Sequence, residues 1–245
     1  MDLKNRVVLI TGGARIGKIV AKALVDKGSH LVLIYRHSKQ SAQECAQYAR
    51  LKRRKVILIQ ADLTDKDELA IIIPQIKRQI GRLDVLVNMA STFDQKSLAK
   101  LTWDDWDWGL DTNLKHVFRL SLDAARLMKE NGSGKIINFA DWTSISHRPR
   151  YTSLAPYYVA KAGVSAVTEV LALGLAPQIT VNAIAPGPIL APSGLTKREH
   201  REVVQATPLK RWGGSEEITK AVLFLIESEF VTGETIRVDG GRHLH

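Results

Sequence analysis

Tyr157 and Lys161 are the pair in this sequence best suited to proton chemistry, because a helix sets residues i and i+4 on one face. A free phenol has a pKa of about 10, too high for efficient exchange near neutrality, and an adjacent ammonium lowers it by favouring the phenolate. Spacing alone is not selective, since Tyr35 with Lys39 and Tyr48 with Lys52 satisfy it too. What separates Tyr157 is its place at the start of a long helix after the fifth expected strand. That is beside the carboxyl edge of the sheet, where open α/β folds bind ligands.

A second segment with chemical potential is Thr11-Gly12-Gly13-Ala14-Arg15-Ile16-Gly17, which joins the first strand to an amphipathic helix. Glycine permits the tight turn there and lets a pyrophosphate approach the backbone amides at the helix N-terminus. About 20 residues on, at the end of the second strand, a carboxylate would bind the ribose hydroxyls of NAD. The sequence has Tyr35-Arg36-His37-Ser38 instead. Arg36, His37 and Ser38 offer a guanidinium and two further donors to a 2′-phosphate, so NADPH is the expected cofactor. A merely solvated basic turn is the competing reading.

The elements that must position these groups follow from periodicity. Short β-branched runs alternate with segments of helical period, the signature of a parallel sheet covered on both faces. Strands are expected at 6–10, 31–35, 56–60, 83–88, 134–140, 179–184 and 234–238, and helices at 16–27, 39–52, 66–80, 110–130, 155–174 and 215–226. Asp65 and Thr102 are suited to N-caps, the latter with Asp105 three residues on, while Gly28 and Gly81 fall at helix ends. Pro74 should kink the third helix. No repeat, low-complexity tract or linker divides the chain, so residues 1–245 form one expected domain.

With 245 residues, 45% hydrophobic, the chain can bury one substantial core. The first strand begins close to Met1, so no leader is expected, and no apolar run is expected to reach membrane-spanning length. Cys45 is the single cysteine, which excludes an intrachain disulfide and a multi-cysteine zinc site and suits a reducing cytoplasm. The formal net charge is +10. Its densest run, Arg50-Leu51-Lys52-Arg53-Arg54-Lys55, falls at an expected helix end and lacks interleaved aromatics, so it reads as a solvated, dipole-complementing cluster rather than a nucleic-acid site. Trp103, Trp106 and Trp108 read as packing or interface residues, and His243 and His245 have no third ligand nearby, so no metal is expected.

From the glycine turn to Val238-Asp239-Gly240-Gly241, the chain resembles the short-chain dehydrogenase/reductase family. Asp62-Leu63 resembles the family's adenine-contacting pair, and Asn88-Met89-Ala90-Ser91 resembles its Asn-Asn-Ala-Gly segment, with Asn88, Ala90 and Ser91 toward the cofactor. Asn113 matches the helix asparagine that holds a relay water, and Pro186-Gly187-Pro188-Ile189 resembles the segment that clasps the nicotinamide amide. The resemblance implies a doubly wound Rossmann-type α/β domain, strand order 3-2-1-4-5-6-7, and a homotetramer. Two departures stand out: the glycine turn is one residue shorter than usual, with Gly12 and Gly17 but no middle glycine, and Met89 replaces the second asparagine.

Within the family the chain looks most like the pteridine reductase branch, which reduces dihydropterins or dihydrofolate. Phe93, in Ser91-Thr92-Phe93, matches the aromatic that stacks on the pterin. Arg15 matches an arginine that contacts cofactor phosphate and pterin, and Asp141 takes the place of the usual serine. Strand register selects Asp141 for this third catalytic position, whereas spacing of thirteen residues before the tyrosine selects Ser144. Register is preferred, because insertions sit more easily in the loop from Thr143 to Leu154 than in a buried strand. The chemistry so implied is hydride transfer to a C=N bond with Tyr157 as acid, Lys161 as activator and ribose anchor, and Asp141, Ser91 and Phe93 around the substrate. A ketone reductase such as a 3-oxoacyl-carrier reductase, and a non-catalytic NADPH-binding protein, are the alternatives. The loop from Pro188 to Thr207 should cover the substrate and carries no readable specificity code.

Overall fold

The computed structural model describes residues 1–146 and 151–244. Seven strands, β1 (Val7–Thr11), β2 (His30–Tyr35), β3 (Val56–Gln60), β4 (Val85–Asn88), β5 (Gly134–Phe139), β6 (Ile179–Pro186) and β7 (Thr235–Val238), form one sheet in the order β3-β2-β1-β4-β5-β6-β7. All six pairings are parallel. The helices are α1 (Ile16–Asp26), α2 (Lys39–Leu51), α3 (Lys66–Ile80), α4 (Trp103–Leu110), α5 (His116–Glu130), α6 (Trp142–Ile145), α7 (Ala155–Leu175), α8 (Lys197–Gln205) and α9 (Ser215–Glu227).

Alternation along the strands divides the core into two layers. Leu9, Leu86, Ile136 and Val181 face Ile72, Leu120, Met128 and Leu171 of α3, α5 and α7. Ile10, Val87, Ile137 and Ile184 face Leu24, Cys45 and Val222 of α1, α2 and α9. A strand buried on both sides needs this continuous apolar character, and β1 and β4 are buried at every residue. The architecture is the doubly wound Rossmann-type fold the sequence implied.

Several local expectations require correction. The helix expected from residue 110 starts at Trp103, immediately after Thr102, whose side chain forms a capping box with Asp105. It passes through a π-helical turn at Asp111–Lys115 before continuing as α5. Helix α8 was not anticipated; it is short, and all its residues are at least partly exposed and mostly charged or polar, although its Thr196–Glu199 capping box is legible in sequence. Helix α3 runs from Lys66 to Ile80 with Pro74 inside it. The segment Thr152–Leu175 is long and apolar enough to cross a membrane, with mean hydropathy 1.4, contrary to the sequence expectation. In this fold it contains α7, which packs against β5 and β6 and carries Tyr157 and Lys161. Within the basic run, Arg54 Nη1 donates to Asn5 Oδ1 at 2.9 Å and to the Gly28 carbonyl at 3.1 Å, tying down the turn before β2.

Candidate active site

The carboxyl ends of β1, β2 and β4 open into a cleft of about 290 Å³. Two glycines shape the turn after β1, and Gly12 lines the cleft. Gly12 has φ 80°, and a Cβ there would meet Ala90 N at 3.0 Å; a Cβ on Gly17 would meet the Gly12 carbonyl oxygen at 2.2 Å. The shortened turn is therefore tightly wound, with Arg15 also in the left-handed region at φ 47° and α1 starting at Ile16. Thr11 Oγ1 accepts from both Met89 N and Ala90 N at 3.0 Å, which clamps the end of β4 against β1. Met89 turns its side chain into the apolar layer beneath.

Arg36, His37 and Ser38 line one side of the cleft, Asp62 and Leu63 another, and Ala90 and Ser91 a third. Arg36 Nη2 lies 2.8 Å from Asp62 Oδ2, and its guanidinium stands 5.6 Å from the centroid of the Trp108 ring. Burial pushes the Asp62 carboxyl up, but hydrogen bonds from the Thr64 N–H and hydroxyl, with the charges of Arg36 and His37, outweigh it and leave the group below its usual range. Trp108 Nε1 also donates to Asp94 Oδ2 at 3.0 Å. Trp108 thus has a defined place beside the cleft that the packing reading did not anticipate, whereas Trp103 is 81% exposed.

A second cavity, of about 610 Å³, lies beyond the ends of β5 and β6 and contains Phe93, Asp141, Trp142, Tyr151, Tyr157 and Trp212. Asp141 follows β5 and begins α6, where its Oδ1 accepts from Thr143 N at 2.8 Å. Its other oxygen, Oδ2, accepts from the Tyr157 hydroxyl at 3.1 Å. Phe93 meets the Tyr157 ring edge to face, with centroids 5.1 Å apart and planes at 78°. Ser144 is buried and donates to the Asp141 carbonyl at 2.8 Å, so it does not share the phenol.

The electrostatics differ from the sequence expectation. Burial pushes the Tyr157 phenol well above its ordinary value, the Asp141 charge and hydrogen bond push the same way, and the Ser91 hydroxyl opposes them. Lys161 is 2% exposed and donates to the Phe139 carbonyl at 2.7 Å, with Nζ 5.8 Å from the Tyr157 ring centroid. Burial lowers its ammonium to about 8 against the pull of Asp141. In this arrangement the ammonium does not acidify the phenol; the phenol is held protonated by a carboxylate.

Asn113 lies in the π-helical turn, where Oδ1 accepts from Ser91 Oγ at 2.6 Å and from Thr92 N at 3.2 Å while Nδ2 donates to the Gly109 carbonyl at 3.0 Å. Such turns displace side chains from helical register, and here Asn113 is brought against the loop after β4. Asn88 is not brought to the cleft by its side chain, which donates to Asn138 Oδ1 at 2.9 Å and Ser121 Oγ at 3.1 Å inside the sheet layer. Arg15 lies apart from the aromatic cavity and donates to the Ala191 carbonyl at 3.2 Å. Pro186 ends β6, and a Cβ on Gly187 would lie 2.5 Å from Asp239 Cβ; Ile189 is buried where that chain leaves the sheet.

Among the described residues no group of three His, Cys, Asp or Glu could hold a metal ion. His243 Nδ1 instead lies 2.7 Å from Asp239 Oδ2, and His245 is outside the described residues. The loop from Thr143 to Leu154 includes residues 147–150, which also lie outside them.

Residues 13–243 match the family described as Enoyl-(Acyl carrier protein) reductase. The chain is 34% identical, over 98% of its length and 99% of the relative's, to the 3-oxoacyl-(acyl-carrier-protein) reductase FabG of Staphylococcus aureus. It is 33% identical to the FabG reductase of Thermotoga maritima, over 98% of this chain and 99% of that one. Among solved structures, the FolM alternative dihydrofolate reductase 1 of Brucella canis, complexed with NADP, superposes with TM-score 0.90 at 30% identity, covering 100% of this chain and 97% of that one. A short-chain dehydrogenase/reductase of Serratia marcescens superposes with TM-score 0.91 at 30% identity, covering 99% and 100%. Fold, glycine turn, Tyr-Lys helix and these likenesses agree: the chain is an oxidoreductase of the short-chain dehydrogenase/reductase family, whose members use nicotinamide cofactors.

Proposed function

We propose that this enzyme reduces a C=N bond of a dihydropterin or dihydrofolate with NADPH, Tyr157 serving as the acid. The observation that carries the reading is the bond from the Tyr157 hydroxyl to the Asp141 carboxylate inside an aromatic-walled cavity. A carboxylate in this position accepts from the amidine edge of a pterin and keeps the phenol protonated until a basic ring nitrogen arrives. Phe93 offers a flat surface for the bicyclic ring, so orientation supplies part of the rate. NADP(H) is favoured by Arg36, His37 and Ser38, and Gly12 brings backbone without a side chain to the cleft wall, where a pyrophosphate can approach it.

When bound, the reduced nicotinamide supplies the hydride. Tyr157 then donates its proton, Lys161 fixes ribose hydroxyls, and Asn113 with Ser91 forms the polar path through which a proton returns. Exposed Phe118 on α5 and Val170 and Leu173 on α7 support the homotetramer proposed with this reading.

The second reading is a 3-oxoacyl-carrier reductase, favoured by the names of the FabG relatives. It asks for a serine beside the phenol, a place held here by Asp141. NADPH oxidation followed against dihydrobiopterin, dihydrofolate and acetoacetyl thioesters separates the two. Turnover of the pterins supports the first, and turnover confined to the thioesters replaces it with the second.

A further inference from the structure

Among the described residues, one arginine or lysine lies on the wall of the aromatic cavity that holds Tyr157, and it is Arg242. Its place follows from the turn after β7. Asp239 Oδ1 accepts from Gly241 N at 3.0 Å and Oδ2 accepts from His243 N at 2.9 Å, while Gly240 and Gly241 take φ of 62° and 81°. These bonds fix a tight turn at the carboxyl end of β7, and the turn carries the half-buried Arg242 onto the cavity wall.

The guanidinium carbon stands 5.8 Å from the centroid of the ring of Trp142, the residue after Asp141. An aromatic face attracts the cation and leaves its N–H donors open to other partners. Among the described residues the Arg242 side chain has no ion pair and no hydrogen bond. The carboxylates of the same wall are engaged. Asp141 accepts from Thr143 N and the Tyr157 hydroxyl, Glu199 accepts from Thr196 N at 2.8 Å and Oγ1 at 2.6 Å, and Glu202 lies 2.8 Å from Arg198 Nε. Arg242 is thus the charged group of that wall left without a polar partner.

A ring laid against Phe93 displaces water from the cavity, and a charge that loses its water is costly unless an opposite charge meets it. At about 610 Å³ the cavity has the size that encloses a drug-sized ligand, so a bicyclic ring leaves room for a substituent. A carboxylate on that substituent suits the guanidinium, which can bind it through two parallel N–H bonds.

We propose that Arg242 pairs with a carboxylate on the side chain of the substrate, so that a dihydropterin with an acidic tail, as in dihydrofolate, is preferred over one with a neutral tail. The proposal rests on the pterin reading above and deepens it by naming the kind of pterin.

Charge is separated from size by comparing dihydrofolate with its derivative in which both glutamate carboxylates are amidated. The wild-type enzyme should show kcat/KM for the acid about tenfold above that for the diamide, the scale of a charge-assisted hydrogen bond. The difference should lie in KM, because the tail is held alike in ground and transition states, and it should shrink as salt is raised. In Arg242→Gln the ratio of the two kcat/KM values should fall to about one, and Arg242→Lys should restore part of it as a point charge. Equal kcat/KM for acid and diamide in the wild type would overturn the inference, and that measurement needs no variant. An undiminished ratio in Arg242→Gln would overturn it too, even with both rates lowered, because Arg242 would then only brace the Trp142 wall. Turnover of acetoacetyl thioesters with none of either pterin would overturn the pterin reading, and the inference with it.

Discussion

The Tyr157 hydroxyl donates to Asp141 Oδ2 at 3.1 Å, and this bond reverses the expected electrostatics of the site. A phenol beside an anion loses its proton less readily than one beside a cation. Such a group is a poor base in the resting enzyme and a proton donor to a substrate that becomes more basic as hydride arrives. Under the proposed reading, that substrate is a group that ends as an amine nitrogen.

Asp141→Ala should lower kcat by roughly two orders of magnitude, the usual scale for loss of an acid–base partner, while Ser144→Ala should leave it nearly unchanged. Ser144 spends its hydroxyl on the Asp141 carbonyl and does not touch the phenol. Steady-state kinetics showing the opposite ranking would move the third catalytic position to Ser144 and favour the ketone reductase.

Lys161 makes a prediction about stability as well as catalysis. Burial lowers its folded-state pKa to about 8, below the unfolded value of about 10.5, so the unfolded chain binds more protons between those pH values. Stability should therefore rise as pH increases from about 8 to 10.5, because the unfavourable buried charge is lost in the folded state first. At about 1.4 kcal/mol per pKa unit the gain is on the order of 3 kcal/mol. Denaturant midpoints compared for wild type and Lys161→Met should show that rise reduced in the variant. The same titration predicts that kcat/KM falls above pH 8, as the ammonium proposed to anchor ribose hydroxyls disappears. Equal pH slopes for the two proteins would show that Lys161 keeps its ordinary pKa.

The strands were legible because β-branched apolar runs buried on both faces leave little else to form, as in Val7-Val8-Leu9-Ile10 and Val85-Leu86-Val87. Asp141 was placed just past the sheet by register: Phe139 pairs with Ile184 at the end of β5, which fixes where the chain leaves the sheet. Side-chain partners chosen by tertiary packing were not legible. The Phe139 carbonyl takes the Lys161 ammonium, and nothing in the spacing of Tyr157 and Lys161 reveals that competitor. Arg15, too, is drawn to Ala191, which lies 176 residues along the chain. Helix α8 was hidden because it is short and strongly polar, with Val203 and Val204 as its only apolar residues.

Phe93 is 56% exposed at the cavity wall, where a ring bound in the cavity can cover it. Phe93→Ala should raise the KM for a pterin roughly tenfold, with a smaller change in kcat, because the lost surface binds the ring in ground and transition states alike. Unchanged kinetics in initial-rate measurements would remove Phe93 from the substrate site.

Arg36 provides the test of the proposed preference for NADPH. Its guanidinium is held at 2.8 Å from Asp62 and over the Trp108 ring, at the cleft side shared by His37 and Ser38. This anchoring reduces the side-chain entropy lost when a phosphate binds, and a charge-assisted bond to phosphate contributes about 1.5–3 kcal/mol. Arg36→Ala should therefore weaken NADPH binding by roughly 10- to 100-fold while changing NADH binding little, since NADH lacks the 2′-phosphate. The loss should shrink as salt is raised, because the guanidinium is 42% exposed and its field is screened. Parallel fluorescence titrations with the two nucleotides decide the point: an equal loss for both would mean that Arg36 braces the cleft through Asp62 and Trp108 and does not read the phosphate.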